Sequence, residues 1–252
     1  MNKNYYLVID TETVNGQKKI NPKTGKEEND LSQSMCYDIG WLICDKKGNI
    51  IKRRSYVVLE IFVDYPDLMK TGYYANKLQK YYADLNAGTR YIMPIIKIWG
   101  NFLNDIKKYN IKAVCAYNAR FDYKSLNNTL RYVTKSQYRT FIPCYVDIYC
   151  IMKMVNSFLT KRKSFRDFCF NNEYVTAHKP PRPQVKAEIV YRYIKPNAEN
   201  FVESHTGLED CEIECYIMSY CFKQHKHLNK KLFEDREVIT YADYLQRKNT
   251  QY

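Results

Sequence analysis

Tyr5-Tyr6-Leu7-Val8-Ile9-Asp10-Thr11-Glu12 is an apolar run that ends in two carboxylates spaced two apart. A run with no polar interruption suits a central strand covered on both faces. Extended backbone alternates its side chains, so Asp10 and Glu12 leave on one side and Thr11 on the other. Ligands collect at the carboxyl ends of such strands, and a divalent cation takes oxygen ligands of this kind. A strand that merely stops at a polar turn would read the same way.

Outward from this strand, the chain is polar from Asn15 to Ser34, and Asn21-Pro22-Lys23-Thr24-Gly25-Lys26 marks a turn, so a flap or small hairpin is expected there. Tyr37 to Cys44 and Ile50 to Leu59 are strand-like and flank Asp45-Lys46-Lys47-Gly48-Asn49, which predicts a hairpin. With the first strand they form a three-stranded antiparallel meander. Ile61 to Arg90 offers only a helical stretch rich in Tyr and Lys. From Pro94, suited to a first turn, Ile95, Ile98, Trp99, Phe102, Leu103 and Ile106 follow the helical period. Ile111 to Tyr117 reads as a strand returning in parallel. It runs into Asn118-Ala119-Arg120-Phe121-Asp122 and a helix from Tyr123 to Tyr132. Phe141 to Ile151 predicts another strand entering a helix, with Asp147 near the boundary. The prolines of His178-Lys179-Pro180-Pro181-Arg182-Pro183 exclude regular helix, and Ala187 to Ile194 reads as an extra strand.

Thr206-Gly207-Leu208-Glu209 is a capping box that opens a helix continuing through Cys211 to Phe222. It puts His205 and Asp210 at the two positions whose side chains meet across a helix start. Apolar residues would serve a structural staple better, so this pair points to chemistry. A surface histidine beside a first-turn Asp is the plainer reading. Asp122 is either a site acid at the edge where Asp10 and Glu12 point or a helix N-cap.

The 252 residues include 40 Lys and Arg against 27 Asp and Glu, a formal +13, with 25 Tyr. Basic surface with interleaved aromatics suits a nucleic-acid partner. The same composition is also the style of a phage or AT-rich bacterial genome. Nine cysteines without a Cys-x-x-Cys pair read as reduced core thiols, and Cys221 with His225 and His227 matches no common zinc spacing. No stretch reaches bilayer-spanning length and no signal peptide opens the chain, so a cytoplasmic protein with no membrane partner is expected.

Taken in order, Asp10-x-Glu12, Asn118-x-x-Phe121-Asp122 and His205 with Asp210 resemble the three motifs of the DEDDh 3′-to-5′ exonucleases. This is the DnaQ-like family that includes the proofreading subunit of the bacterial replicative polymerase. The resemblance spans Tyr5 to about Phe222, and histidine rather than tyrosine marks the subtype. It implies an α/β ribonuclease H-like exonuclease fold: a mixed five-stranded sheet, antiparallel meander then parallel strands, flanked by helices. The exonuclease domain would cover 1–225, with insertions about 15–34, 61–92 and 160–200, and a C-terminal extension 226–252. Two Mg2+ or Mn2+ ions are implied, with Asp10, Glu12 and Asp210 around one and Asp10 bridging to a second held by Asp122. His205 would be the general base. Thr13, Asn118 and Phe121 would lie near the terminal nucleotide, and Asp147 resembles the acid that often follows the second motif. The implied enzyme releases nucleoside monophosphates from the 3′ end of single-stranded nucleic acid, DNA first. A 3′-to-5′ exoribonuclease or oligoribonuclease and a catalytically silent nucleic-acid-binding module are the alternatives. Lys161 to Arg166 and Lys179 to Lys186 are expected to track the strand's phosphates.

Overall fold

The opening run forms β1 (Tyr6–Val14), whose Leu7 and Ile9 enter one core cluster while Tyr6 and Val8 enter another across the sheet. Both faces are therefore covered, as a central strand requires. The computed structural model describes residues 4–15, 18–22, 25–29, 33–64, 66–69 and 75–228. The polar excursion holds a separate two-stranded hairpin of β2 (Lys18–Ile20) and β3 (Glu27–Asn29). β4 (Met35–Cys44) pairs antiparallel with β1 and with β5 (Ile50–Val58), completing the meander. In the β4–β5 turn the Asp45 carboxylate accepts from Lys47 N at 2.8 Å and Asn49 N at 3.0 Å, and Gly48 takes a φ of +86°.

The weakly patterned stretch that follows is α1 (Leu59–Phe62), α2 (Pro66–Met69), a 3-10 turn (Ala75–Lys77) and α3 (Leu78–Asn86). It ends in β6 (Tyr91–Met93), parallel to β5. α4 (Ile95–Lys108) buries Ile95, Ile98, Phe102 and Ile106. Pro94 is its N-cap residue rather than part of the first turn, and the Glu60 carboxylate accepts from Ile95 N at 3.0 Å. β7 (Ala113–Ala116) returns parallel to β1. α5 (Ala119–Thr134) starts at Ala119, not Tyr123, with Asn118 at the N-cap position, so Asp122 lies inside the first turn and is not a cap. β8 (Asp147–Cys150) pairs parallel with β7.

The sheet order is β6-β5-β4-β1-β7-β8. This is the expected α/β, ribonuclease H-like mixed sheet, with six strands where five were expected. The addition is the three-residue edge strand β6, too short to leave a periodic signal.

The other face carries α6 (Ile151–Leu159), α7 (Lys163–Asn171), α8 (Ala187–Ile194) and α9 (Gly207–Lys223). α8 replaces the expected extra strand. Its Ala187, Val190 and Tyr191 are buried at helical spacing, and packing overrides the weak strand preference of its branched and aromatic residues. α9 approaches β4 along a ridge of small residues, Gly207, Cys211, Cys215 and Ser219, each four apart. The Cys211 thiol donates to Gly40 O at 3.2 Å. All nine cysteines are free, and only Cys144 is exposed, so the thiols serve as small core side chains. Part of the tyrosine content is likewise core, including Tyr37, Tyr56, Tyr81 and Tyr117. Among the described residues no helix is long and apolar enough to cross a membrane. Of the expected C-terminal extension, 229–252 lies outside the described residues.

Candidate active site

At the carboxyl end of β1 a cavity of about 570 Å³ is lined by Asp10, Glu12, Asp122, His205 and Asp210, residues drawn from three distant stretches of sequence. Strand alternation explains their sides. Asp10 and Glu12 share the parity of Val8, which packs on the α9 face. Thr11 points the other way, and its hydroxyl donates to the Asp122 carboxylate on α5 at 2.9 Å. Glu12, His205 and Asp210 each bring a ligand atom within 4.8 Å of the others, a grouping no other His, Cys, Asp or Glu trio matches among the described residues. Asp10 and Asp122 stand outside that trio and line the same cavity.

The start of α9 is held by groups outside the cavity lining. The Asp38 carboxylate on β4 accepts from the buried Arg90 guanidinium at 2.7 Å, from Tyr81 Oη at 2.7 Å and from Gly207 N at 3.0 Å. Burial raises the Asp38 carboxyl above its usual range, against the pull of Arg90, Gly207 N–H and Tyr81 toward the ionised form. A Cβ at Gly40 would stand 2.2 Å from the carbonyl carbon of Gly207, so strand and helix meet backbone to backbone and neither glycine can be enlarged without displacement. Thr206 occupies the N-cap position without a side-chain capping bond to the backbone, and Glu209 bonds the Thr206 hydroxyl as well as Lys80 at 2.9 Å and Arg90 at 3.2 Å. The capping box marks the right helix start, and Lys80 and Arg90 from the α3–β6 region add to it. His205 adopts a φ of +52°, uncommon for a side chain with a Cβ. It is flanked by Ser204, whose carbonyl accepts from the Lys77 ammonium, and by Gly207 on Asp38.

Crowding of acids sets the electrostatics. Burial first, then neighbouring carboxylates, raises Asp10 well above its usual range, Glu12 to about 9 and Asp210 to about 8. Burial raises Asp122 to about 7 against the Thr11 hydroxyl bond. Burial, then the Lys77 and Lys186 ammonium groups, lowers the pKa of His205, so the imidazole is neutral near pH 7. Among the described residues, Asp210 Oδ1 and Glu214 Oε2 are buried without a hydrogen-bond partner. Hard oxygen donors this close either keep protons or share a cation, and orphaned carboxylate oxygens beside a neutral imidazole fit a Mg2+- or Mn2+-type ion.

The remaining expected residues divide. Asn118 and Phe121 line the cavity, whereas Thr13, which follows a break in β1–β4 register after Glu12, is not among its lining residues. Asp147 is a correction: it begins β8 level with Ala113 and Tyr6, at the opposite end of the sheet, and it accepts from Tyr149 Oη at 3.1 Å. Of the Lys161 to Arg166 stretch, Arg162 bonds Tyr220 and Gln224 at the far end of α9, and none of its residues lines the cavity. Lys186, from the second basic stretch, does line it. Sequence reasoning missed Glu203 and Glu214 in the cavity wall. Glu214, four residues after Asp210 inside an apolar helix, left a trace that spacing alone could have exposed. Lys77 and Asp38 left none.

Neither a protein-family model nor a curated protein sequence matches the chain. Solved structures similar to it include the zinc-bound E. coli exonuclease I–ssDNA complex, at 9% identity, 88% coverage of this chain and 41% of that one, with a TM-score of 0.49. E. coli exonuclease I with a dA16 oligonucleotide follows at 10% identity, coverages of 89% and 41%, and a TM-score of 0.49. Exonuclease I in its apo form gives 9% identity, coverages of 89% and 43%, and a TM-score of 0.48. The chain spans less than half the length of these proteins. The likeness is loose, and the chain's own side chains carry the functional reading.

Proposed function

We propose that this chain is a metal-dependent 3′-to-5′ exonuclease acting on single-stranded nucleic acid, with DNA the first substrate to try. The observation that carries the reading is the gathering of Asp10, Glu12, Asp122, His205 and Asp210, in the order of the three exonuclease motifs, around one cavity with unpartnered carboxylate oxygens. Asp10, Glu12, Asp122 and Asp210 would hold two Mg2+ or Mn2+ ions. When bound, such ions stabilise charge on the entering and leaving oxygens of an in-line displacement.

His205, neutral near pH 7, accepts a proton from the attacking water at its imidazole. The phosphorus bond to the 3′ oxygen of the penultimate nucleotide breaks, releasing a nucleoside monophosphate and a shortened strand. Lys186 at the rim faces the backbone phosphates, and Phe121, Met152 and Val185 offer an apolar wall to an unpaired terminal base. The polarity rests on the ordered motifs, since the cavity itself says little about the sugar.

Matched DNA and RNA strands, labelled at either end and incubated with Mg2+, Mn2+ or chelator, test this. The expected result is stepwise shortening from the 3′ end, release of monophosphates and silence in chelator. Cleavage of a circular strand, or digestion that survives chelation, would overturn it.

A further inference from the structure

We infer that Glu214 is an additional carboxylate ligand for a divalent cation in the cavity that it lines with Asp10 and Asp122. This rests on the cation reading above. Glu214 lies on α9 one turn after Asp210, so the two acids project from one side of the helix about 6 Å apart along its axis. It is 2% exposed and lines the cavity. It accepts a hydrogen bond from Tyr117 N–H, while its Oε2 has no partner among the described residues.

A structural carboxylate this deep would be expected to recruit a cation from the protein, as Asp38 recruits Arg90. Glu214 makes no such pair among the described residues. It lines the cavity together with Asp10 from β1 and Asp122 from α5, two further acids close enough for their charges to bear on one another. Glu12, His205 and Asp210 bring ligand atoms within 4.8 Å of one another in the same cavity. Along one helix face, Asp210 belongs to the grouping that includes the imidazole, and Glu214, one turn on, adds a further carboxylate to the same cavity. Bare oxygen ligands of this kind suit hard divalent ions.

The test is calorimetric titration of Mn2+ alone into the wild-type chain, Glu214→Gln and Glu214→Asp, with thermal melts in chelator. Gln keeps an oxygen for Tyr117 N–H but removes the charge. The expected result is two Mn2+ for wild type, at least tenfold weaker binding at one of them in Glu214→Gln, and partial recovery in Glu214→Asp. In chelator Glu214→Gln should melt at or above wild type. Unchanged Mn2+ binding in Glu214→Gln, or a lower melt in chelator, overturns the assignment and leaves the exonuclease reading standing. A wild-type chain that binds no Mn2+ overturns both.

Discussion

Asp38 and Asp210 are both buried beside the first turn of α9, at 0% and 4% exposure, yet they are kept in opposite ways. Asp38 is surrounded by donors: the Arg90 guanidinium, the Tyr81 hydroxyl and Gly207 N–H. Asp210 has an oxygen with no donor and shares its space with Glu12 and His205. The first carboxylate is spent on holding a helix in place. The second is held in reserve for something the chain does not itself supply. A buried acid with its own counter-ion therefore reads as architecture, and one left without, in a cavity, reads as a site.

The comparison breaks most sharply at Asp210. Asp210→Asn should lower nuclease turnover on the order of 10³-fold while leaving the melting temperature in chelator unchanged or higher, as steady-state assays and scanning fluorimetry would reveal. Asp38→Ala should do the reverse, costing about 3–5 kcal/mol by stranding Arg90 and lowering the melting temperature by roughly 10 °C. If Asp38→Ala melts like wild type, the division between the two acids is wrong.

Gly40→Ala sits between these cases, because it pushes the start of α9 off β4 without touching an acid. About 1–3 kcal/mol of stability should go, with a loss of turnover larger than the unfolded fraction explains; equal losses in both measurements would mean the close approach does not position the site.

The acids also make stability depend on pH. Each binds its proton more tightly folded than unfolded, so chelated protein should lose stability as pH rises from about 4, the unfolded carboxyl range, through about 7 at Asp122, about 8 at Asp210 and about 9 at Glu12. His205 opposes this, contributing stability as pH climbs toward the ordinary imidazole range. Added Mg2+ or Mn2+ should restore the melt more at pH 8 than at pH 5, and a pH-independent metal effect would place the ions elsewhere. The smallest effect is expected at the rim. Lys186→Ala should weaken single-strand binding a few-fold and reduce the salt slope by about 1, as anisotropy titrations at several salt concentrations would measure.

Much of this was legible in residues. The run from Tyr5 to Ile9 announced a strand buried on both faces, and the spacing of Asp10 and Glu12 announced a shared side. Thr206 to Glu209 marked the start of α9 and so paired His205 with Asp210. The misreadings have local causes. Ala187 to Ile194 mixes branched and aromatic residues at a helical spacing, and α8 formed because its apolar stripe had α9 to pack against. Asp147 occupied the right place in the order of motifs but the wrong end of its strand, a distinction that register alone makes. β6, three residues long, had no period to read.

Sequence by itself determined which side of each element its chemistry faces, because the periods of strand and helix are set by backbone geometry within a few residues. Only the tertiary structure decided which faces meet. That Asp38 would find Arg90, that Lys77 would reach Ser204, and that Glu214 would line the same cavity as Asp10 depend on contacts between residues far apart in the chain. Those contacts come from the packing of α9 on β4 and of α3 against the start of α9, and no local rule of spacing encodes them.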